Sequence, residues 1–449
     1  MSKKIRRTKL SNWTRFPVIE AELTEPAFCD DVIKEIDKKE RVIARGNGRC
    51  YGDASLNVQV LSTLKLNKIL AFDPMTGIIE VQSGILLSDI LDFIVPKGWF
   101  LPVTPGTKFI TVGGAIASNV HGKNHHKEGS FSNFVESFEL LQADHTIVEV
   151  CAQDNPELFD LTHGGMGLTG VVLSAKIRLK KIDNALIDTL NIKASNLEEV
   201  FELFQKHKDY TYSVAWIDCY QKGSSIGRSV LMLGEHASKE QVNGKESPKA
   251  HTSSPKPKLK MPMDLPNWAL NGFTIRLFNF LYYHKQWKKQ SKKLVHYEGF
   301  FYPLDSILEW NKLYGRRGFI QYQFVLPLEG SIEGLKVMLD MIRTSGYGSF
   351  LAVLKLFGAK DNEFSFPMEG YTLALDFPIK DGLFEFLDLM DEQVIKYGGR
   401  IYLSKDARMS RSTFETTYPQ LPEVKSVLKK YNLGGKFESQ LSKRLGLTE

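Results

Sequence analysis

Three glycine-rich stretches crowd the first 170 residues, and they limit what this chain can fold into. The first is Arg45-Gly46-Asn47-Gly48-Arg49-Cys50-Tyr51-Gly52-Asp53. The second is Thr104-Pro105-Gly106-Thr107, which continues through Thr111-Val112-Gly113-Gly114-Ala115-Ile116-Ala117-Ser118-Asn119. The third is Gly164-Gly165-Met166-Gly167-Leu168-Thr169-Gly170. Glycine removes the Cβ and leaves backbone N–H groups open to an anion. Each stretch alone reads as a turn, but three in one N-terminal region point to a dinucleotide lying against the backbone. Gly165, Gly167 and Gly170 satisfy the G-x-G-x-x-G spacing. That fingerprint must follow a strand and open a helix. Here the glycines follow a helical run, Pro156–Leu161, and lead into a strand, Gly170–Leu179. The order of elements therefore excludes a Rossmann site. The small residues from Gly113 to Ser118 read as backbone lying flat against a ligand.

The surrounding pattern is mixed. Arg41–Arg45, Leu61–Leu66 and Ile78–Val81 read as strands, and Leu86–Ile94 as a helix stopped by Pro96-Lys97-Gly98. Phe138–Gln142 and Thr146–Cys151 read as a hairpin. From about Ile182 the texture changes. A helix, Asn196–His207, precedes a strand, Tyr210–Cys219. Later the strands Phe319–Pro327, Phe350–Phe357 and Tyr371–Pro378 alternate with the helices Ile332–Ser345 and Leu383–Tyr397. The class is α+β. Residues from about 235 to 262 are rich in Lys, Ser and Pro with little to bury, so a mobile surface loop is expected there. Two readings stand for it, an active-site lid and a plain insertion. Asn267–Trp287 is aromatic-rich, and it too has two readings: a core helix, or a segment touching a membrane surface.

Composition narrows the function classes. A net charge of +6 over 449 residues, with no basic stripe, does not call for nucleic acid but suits anionic small molecules or lipid head groups. Cys29, Cys50, Cys151 and Cys219 are widely spaced and form no CxxC, so neither a disulfide framework nor a cysteine zinc site is expected. The basic start lacks the apolar stretch of a secretory signal, and no run of about 18 apolar residues occurs. A cytoplasmic location is expected, with association at the inner membrane face left open. His121 and His125 have i,i+4 spacing beside His126, as in a zinc hydrolase. Gly122 stands where that motif needs Glu, and Gly122-Lys123-Asn124 is poor helix, so no metal is expected.

Together the GNGRCYGD loop, the TPGT…TVGGAIASNVHGKNHH segment and the GGMGLTG loop resemble the flavin domain of the vanillyl-alcohol oxidase/para-cresol methylhydroxylase superfamily. Four further segments resemble the substrate half of its polyprenyl-phosphoryl-ribose oxidase branch: GFIQYQFVLP (Gly318–Pro327), FLAVLKLFG (Phe350–Gly358), LDFPIKDGL (Leu375–Leu383) and GGRIYLSKDAR (Gly398–Arg408). The resemblance implies a PCMH-type FAD-binding domain of two subdomains over residues 1–181. It also implies an α+β substrate domain with an antiparallel sheet over 182–399, and a return to the FAD domain over 400–449. The implied activity is oxidation of the 2′-hydroxyl of a polyprenyl-phosphoryl ribose, the first half of an epimerisation, with a short-chain NAD-dependent reductase as partner. Two alternatives stand, an oxidase of a free alditol or aldonolactone and a non-enzymatic binder of the lipid-linked sugar.

The resemblance also assigns residues. FAD would be held by Arg45, Gly46, Asn47, Gly48, Arg49, Cys50, Tyr51 and Gly52 of the first loop. The second stretch would add Pro105, Gly106, Thr107, Thr111, Gly113, Gly114, Ala117, Ser118, Asn119, His121, Gly122 and Asn124. Gly167, Gly170, Val171, Tyr402 and Lys405 complete the set. Lys405, Tyr51 and His121 would be catalytic. Lys405 has two roles open, proton acceptor and cation beside the reduced flavin. The imidazole of His121 suits proton transfer. Gln321, Gln323, Lys355, Phe357, Thr372 and Ala374 would line the substrate pocket, with Lys355 able to meet a phosphate, and Trp216 has two readings, a pocket wall and a buried core residue. Two departures matter. Thr372-Leu373-Ala374 replaces the branch's Asn-x-Cys, so no thiol stands there. Cys50 occupies about the point where sugar-alcohol oxidases carry a flavin-linked His, so non-covalent FAD is expected.

Overall fold

The computed structural model describes residues 7–242, 259–266, 269–349, 351–359 and 364–448. Its largest sheet has eight strands, all antiparallel to their neighbours. In spatial order they are Gln290–His296, Leu186–Ala194, Ser229–His236, Tyr212–Ile217, Ala352–Phe357, Gly370–Pro378, Phe319–Pro327 and Arg400–Ile401. Side chains alternate between the faces of a strand. On one face Phe324, Leu354, Leu373 and Leu375 are fully buried, in one core with Leu335, Met338, Leu387 and Met390 of the helices Ser331–Ser345 and Leu383–Lys396. The other face carries Gln321, Gln323, Val353, Lys355, Thr372, Ala374, Trp216 and Val230. The pairings Gln323 with Ala374, Ala374 with Val353, Val353 with Trp216 and Trp216 with Val230 make a continuous row of that face.

The N-terminal part has two smaller sheets. One orders Arg7–Ser11, Val18–Thr24, Gln59–Ser62 and Ile43–Arg45, the last two joined in parallel. The other is antiparallel and orders Ile69–Asp73, Ile78–Gln82, Val171–Arg178, Val135–Leu141 and Ile147–Val150. The α+β class is as expected, and the expected hairpin is present, closed by Gln142 N–H donating to Thr146 O at 2.9 Å.

Three local expectations need correction. The strand expected over Leu61–Leu66 ends at Ser62, because Leu66 N–H turns back to Thr63 O. Gly113–Ser118 is not flat backbone. Val112–Ala117 is a short helix, capped by Thr111 Oγ1 accepting from Gly114 N–H at 3.2 Å. The insertion is narrower than the loop expected over about 235–262. The strand runs to His236, Lys239–Val242 is a helical turn, and Leu259–Lys260 pairs in parallel with Ile307–Leu308. The rest of that expected loop, 243–258, lies outside the described residues, as do Asn267 and Trp268 of the aromatic stretch.

The C-terminal segment returns to the N-terminal loops. Val42 N–H donates to Lys436 O, and Gln440 N–H to Leu56 O, each at 2.8 Å. Arg444 then grips two buried carboxylates, Asp53 at 2.9 Å and Asp406 at 2.8 Å. Removing the guanidinium would strand both, and breaking a buried ion pair on one side costs about 3 kcal/mol or more. Arg444→Met is expected to lower unfolding stability by about that amount, read from urea denaturation followed by far-UV circular dichroism.

Candidate active site

A cavity of about 770 Å³ runs between the glycine-rich loops and the open face of the eight-stranded sheet. At the loop end its wall includes Arg45 through Tyr51, Pro105, Gly106, Thr107, Thr111, Gly113, Gly114, Ala117, Ser118, His121, Gly122, Gly167, Gly170 and Val171. Tyr402, Lys405, Gln321, Gln323, Lys355, Thr372, Ala374 and Trp216 close it from the other side. Four expected residues do not line it. A Cβ on Gly52 would lie 1.5 Å from Asp406 O, so this glycine lets two chain segments touch. Asn119 donates to Ser365 Oγ, and Asn124 to Pro102 O. Phe357 packs behind His121, with ring centres 4.8 Å apart.

The loop end is built for an anionic, flat-lying ligand. Among the described residues, no protein acceptor takes the N–H groups of Asn47, Gly48, Arg49 or Cys50. Gly48 has φ +59°, a region that favours glycine, and its missing Cβ leaves room for the Arg45 guanidinium. A Cβ on Gly46 would fall 2.1 Å from Thr111 Oγ1. The hydroxyl of Ser83, at the same wall, is buried with no partner among the described residues.

The polar centre brings together groups far apart in sequence. Lys405 Nζ sits 3.5 Å from the centre of the Tyr51 ring. Burial pushes the Lys405 ammonium down to about 7, opposed by the negative charge of Asp376 and assisted by the positive charge of Lys355. Burial alone pushes Lys355 down to about 8, and among the described residues no acceptor meets its ammonium group. His121 is held well below the usual imidazole range, first by burial and then by Lys355, His125 and Lys405. The Gln323 amide donates to His121 Nε2 at 3.1 Å. That bond puts the imidazole proton on Nδ1, which has no partner among the described residues. The ring therefore offers a donor, and its lone pair is already engaged. Burial also raises the Tyr51 phenol well above its usual range, so it stays protonated.

Sequence reasoning missed Asp376. It is 1% exposed, accepts from Gln321 Nε2 at 2.6 Å and from Tyr314 OH at 3.1 Å, and is raised to about 7, first by burial. The signal was available: Thr372, Ala374 and Asp376 share one strand face by period two. Lys123 was missed as well. It donates to Phe300 O at 2.7 Å and Phe301 O at 3.1 Å, and burial brings it to about 7. Nothing local in its sequence marks it. The far end of the cavity is mostly apolar, walled by Trp216, Val230, Met232, Phe278 and Tyr282, with Thr189, Asn191, Lys285, Gln286 and Lys293 also on its wall. Among the described residues, no three His, Cys, Asp or Glu side chains gather in a way that could hold a metal ion.

Residues 22–150 match the family described as FAD binding domain. Over 98% of its length the chain is 35% identical to decaprenylphosphoryl-β-D-ribose oxidase of Mycolicibacterium smegmatis, covering 97% of that protein. Over 81% of its length it is 31% identical to an uncharacterized protein in the mprA 5′ region of Streptomyces coelicolor, covering all of it. In structure it is similar to Physcomitrella patens BBE-like 1, with a TM-score of 0.65 at 14% identity over 93% of this chain and 89% of that one. FAD is the cofactor. A ligand with a pyrophosphate and a flat ring fits the open N–H groups and the glycine wall described above. Gly46→Ala is expected to displace Thr111 and lower FAD affinity at least tenfold with the fold kept, measured by fluorescence titration of the apoprotein.

Proposed function

The chain belongs to the decaprenylphosphoryl-β-D-ribose oxidase family, and from that premise we propose that it oxidises the 2′-hydroxyl of a polyprenyl-phosphoryl ribose to the keto sugar. It is an FAD-dependent oxidoreductase acting on a CH–OH group. The observation that carries the substrate reading is the cavity's gradient. At its centre Lys355, which meets no acceptor among the described residues, and Lys405 face the sugar site, and the cavity continues into a mostly apolar extension walled by Trp216, Met232 and Tyr282, with Lys285 and Lys293 also on its wall. A phosphate with a prenyl tail needs both ends, and a free alditol needs neither.

When bound, FAD accepts the hydride from the carbinol carbon. The protein supplies the rest. The first loop and the Thr104–Gly122 segment hold the cofactor, without a covalent bond at Cys50. Lys355 takes the substrate phosphate, and Gln321 and Gln323 orient the sugar. Lys405, poised near neutrality by burial, takes the hydroxyl proton. The ammonium that results would place a positive charge where hydride transfer leaves the cofactor site more negative. His121 donates from Nδ1, and Asp376 holds Gln321 and tunes Lys405. We assign residues 1–181 and 402–449 to cofactor binding and 182–401 to the substrate, the last boundary falling two residues later than expected because Arg400–Ile401 pairs with Phe319–Pro327 in the large sheet. The keto product suits a following NAD-dependent reduction, which completes an epimerisation.

Anaerobic titration tests the substrate. Bleaching of the flavin by a prenyl-phosphoryl ribose, and not by xylitol or a gulonolactone, is the expected result. Bleaching by the free polyols alone would sink the reading. Acid precipitation is expected to leave the yellow colour in the supernatant. A yellow pellet would mean a covalent link.

The proton acceptor has its own signature. A lysine with its pKa lowered to about 7 is an unprotonated base only above that pH. The flavin reduction rate should therefore rise about tenfold per pH unit below 7 and level off above it. Asp376→Asn removes the anion that favours the charged lysine, so this limb should move to lower pH. Stopped-flow reduction across pH checks both. A rate independent of pH, or a limb shifted upward in Asp376→Asn, would remove Lys405 from the role.

A further inference from the structure

We propose that the helix Gly272–Lys285, with the turn that follows it, seats the protein on an anionic lipid surface and brings the cavity mouth to the bilayer. The proposal rests on the substrate being lipid-linked, as argued above.

The helix has three faces of different character. Ile275 and Asn279 are buried, Asn279 donating to Asp218 at 2.9 Å. Phe278, Tyr282 and Lys285 line the cavity. Phe273, Leu277, Phe280 and Leu281 follow the i, i+4, i+7, i+8 pattern of a single stripe, and each is between 47% and 73% exposed. Just beyond the helix Trp287 is 93% exposed. One 14-residue element, about 21 Å long, thus combines the wall of the cavity mouth with an uncovered apolar stripe.

Charge selects the occupant. Between Asp264 and Glu298 there is no acidic residue, while Arg276, Lys285, Lys288, Lys289, Lys292 and Lys293 all fall there. Lys289 pairs with Glu199, but Lys288 and Lys293 are exposed, and Lys285 and Lys293 reach the cavity wall; Lys292 points to the opposite face of the sheet, its cross-strand partner Leu190 being in the core. Apolar and aromatic side chains rimmed by lysines match an interface of acyl chains under anionic head groups. Among the described residues, no helix is long and apolar enough to cross a membrane. A prenyl tail drawn from that surface would meet Phe278 and Tyr282 before it reached Trp216.

Sedimentation of the purified FAD-loaded protein with vesicles, without substrate, tests this. Binding is expected to phosphatidylcholine vesicles that contain phosphatidylglycerol, and at least tenfold weaker binding to phosphatidylcholine alone. Phe280→Glu with Leu281→Glu, and separately Lys288→Glu with Lys289→Glu, should each weaken binding at least tenfold. Flavin content and turnover of a short-chain soluble substrate should stay unchanged. Wild-type protein left in the supernatant with the anionic vesicles would overturn the proposal. So would unchanged binding of the Phe280/Leu281 variant, or a vesicle-free dimer which that variant dissociates. Intact vesicle binding by a protein whose flavin ignores the lipid-linked sugar would support the docking surface and count against the substrate assignment alone.

Discussion

Arg444 holds two carboxylates from different loops, Asp53 at the end of the first glycine-rich stretch and Asp406 next to Lys405. The geometry of the site depends on that clasp. It presses the Gly52 backbone onto Asp406 O so closely that no side chain fits at position 52. Tyr51 N–H then donates to Ser404 O at 2.9 Å, and the Tyr51 ring lies under the Lys405 ammonium. A residue near the start of the chain and one near its end thus become neighbours. The burial that follows from this closure is what lowers Lys405 toward neutrality. Exposed on a surface, the same lysine would remain a fully charged solvated group, of no use as a base at neutral pH.

The sheet supplies the second half of the site by simple periodicity. Its strands bury one set of alternating residues under two helices and turn the other set toward the cavity. Gln321 and Gln323, Thr372 and Ala374, and Val353 and Lys355 are successive members of the same row pattern. Register across the sheet sets the order from polar to apolar, from Gln323 to Trp216 and Val230. Ala374, where related oxidases are expected to carry a thiol, sits in the middle of this row and contributes only a small apolar surface.

Much of this was legible in the sequence, for reasons tied to particular residues. Glycines that precede a strand and follow a helix, as at Gly164–Gly170, excluded the Rossmann arrangement without any structure. The strands Phe319–Pro327 and Gly370–Pro378 were clear because apolar runs of that length bounded by turns have few other solutions. The helix at Val112–Ala117 was obscured because its glycines disfavour a helix, and only the Thr111 cap and tertiary packing secure it. Asp376 went unrecognised although period two places it on the face of Thr372 and Ala374, because that placement gains meaning only once this face is known to be the cavity wall. Lys123 acquires its acceptors, Phe300 O and Phe301 O, only through a contact of about 180 residues' separation.

The central claim is that the cavity joins the N-terminal loops to Lys405 around one flavin. An experimental structure of the yellow, FAD-loaded protein tests it most directly. The account predicts pyrophosphate oxygens within hydrogen-bond distance of N–H groups in the 47–50 loop, and the flavin ring beside Lys405. FAD bound with its phosphates away from that loop, or with its ring out of reach of Lys405, would contradict it.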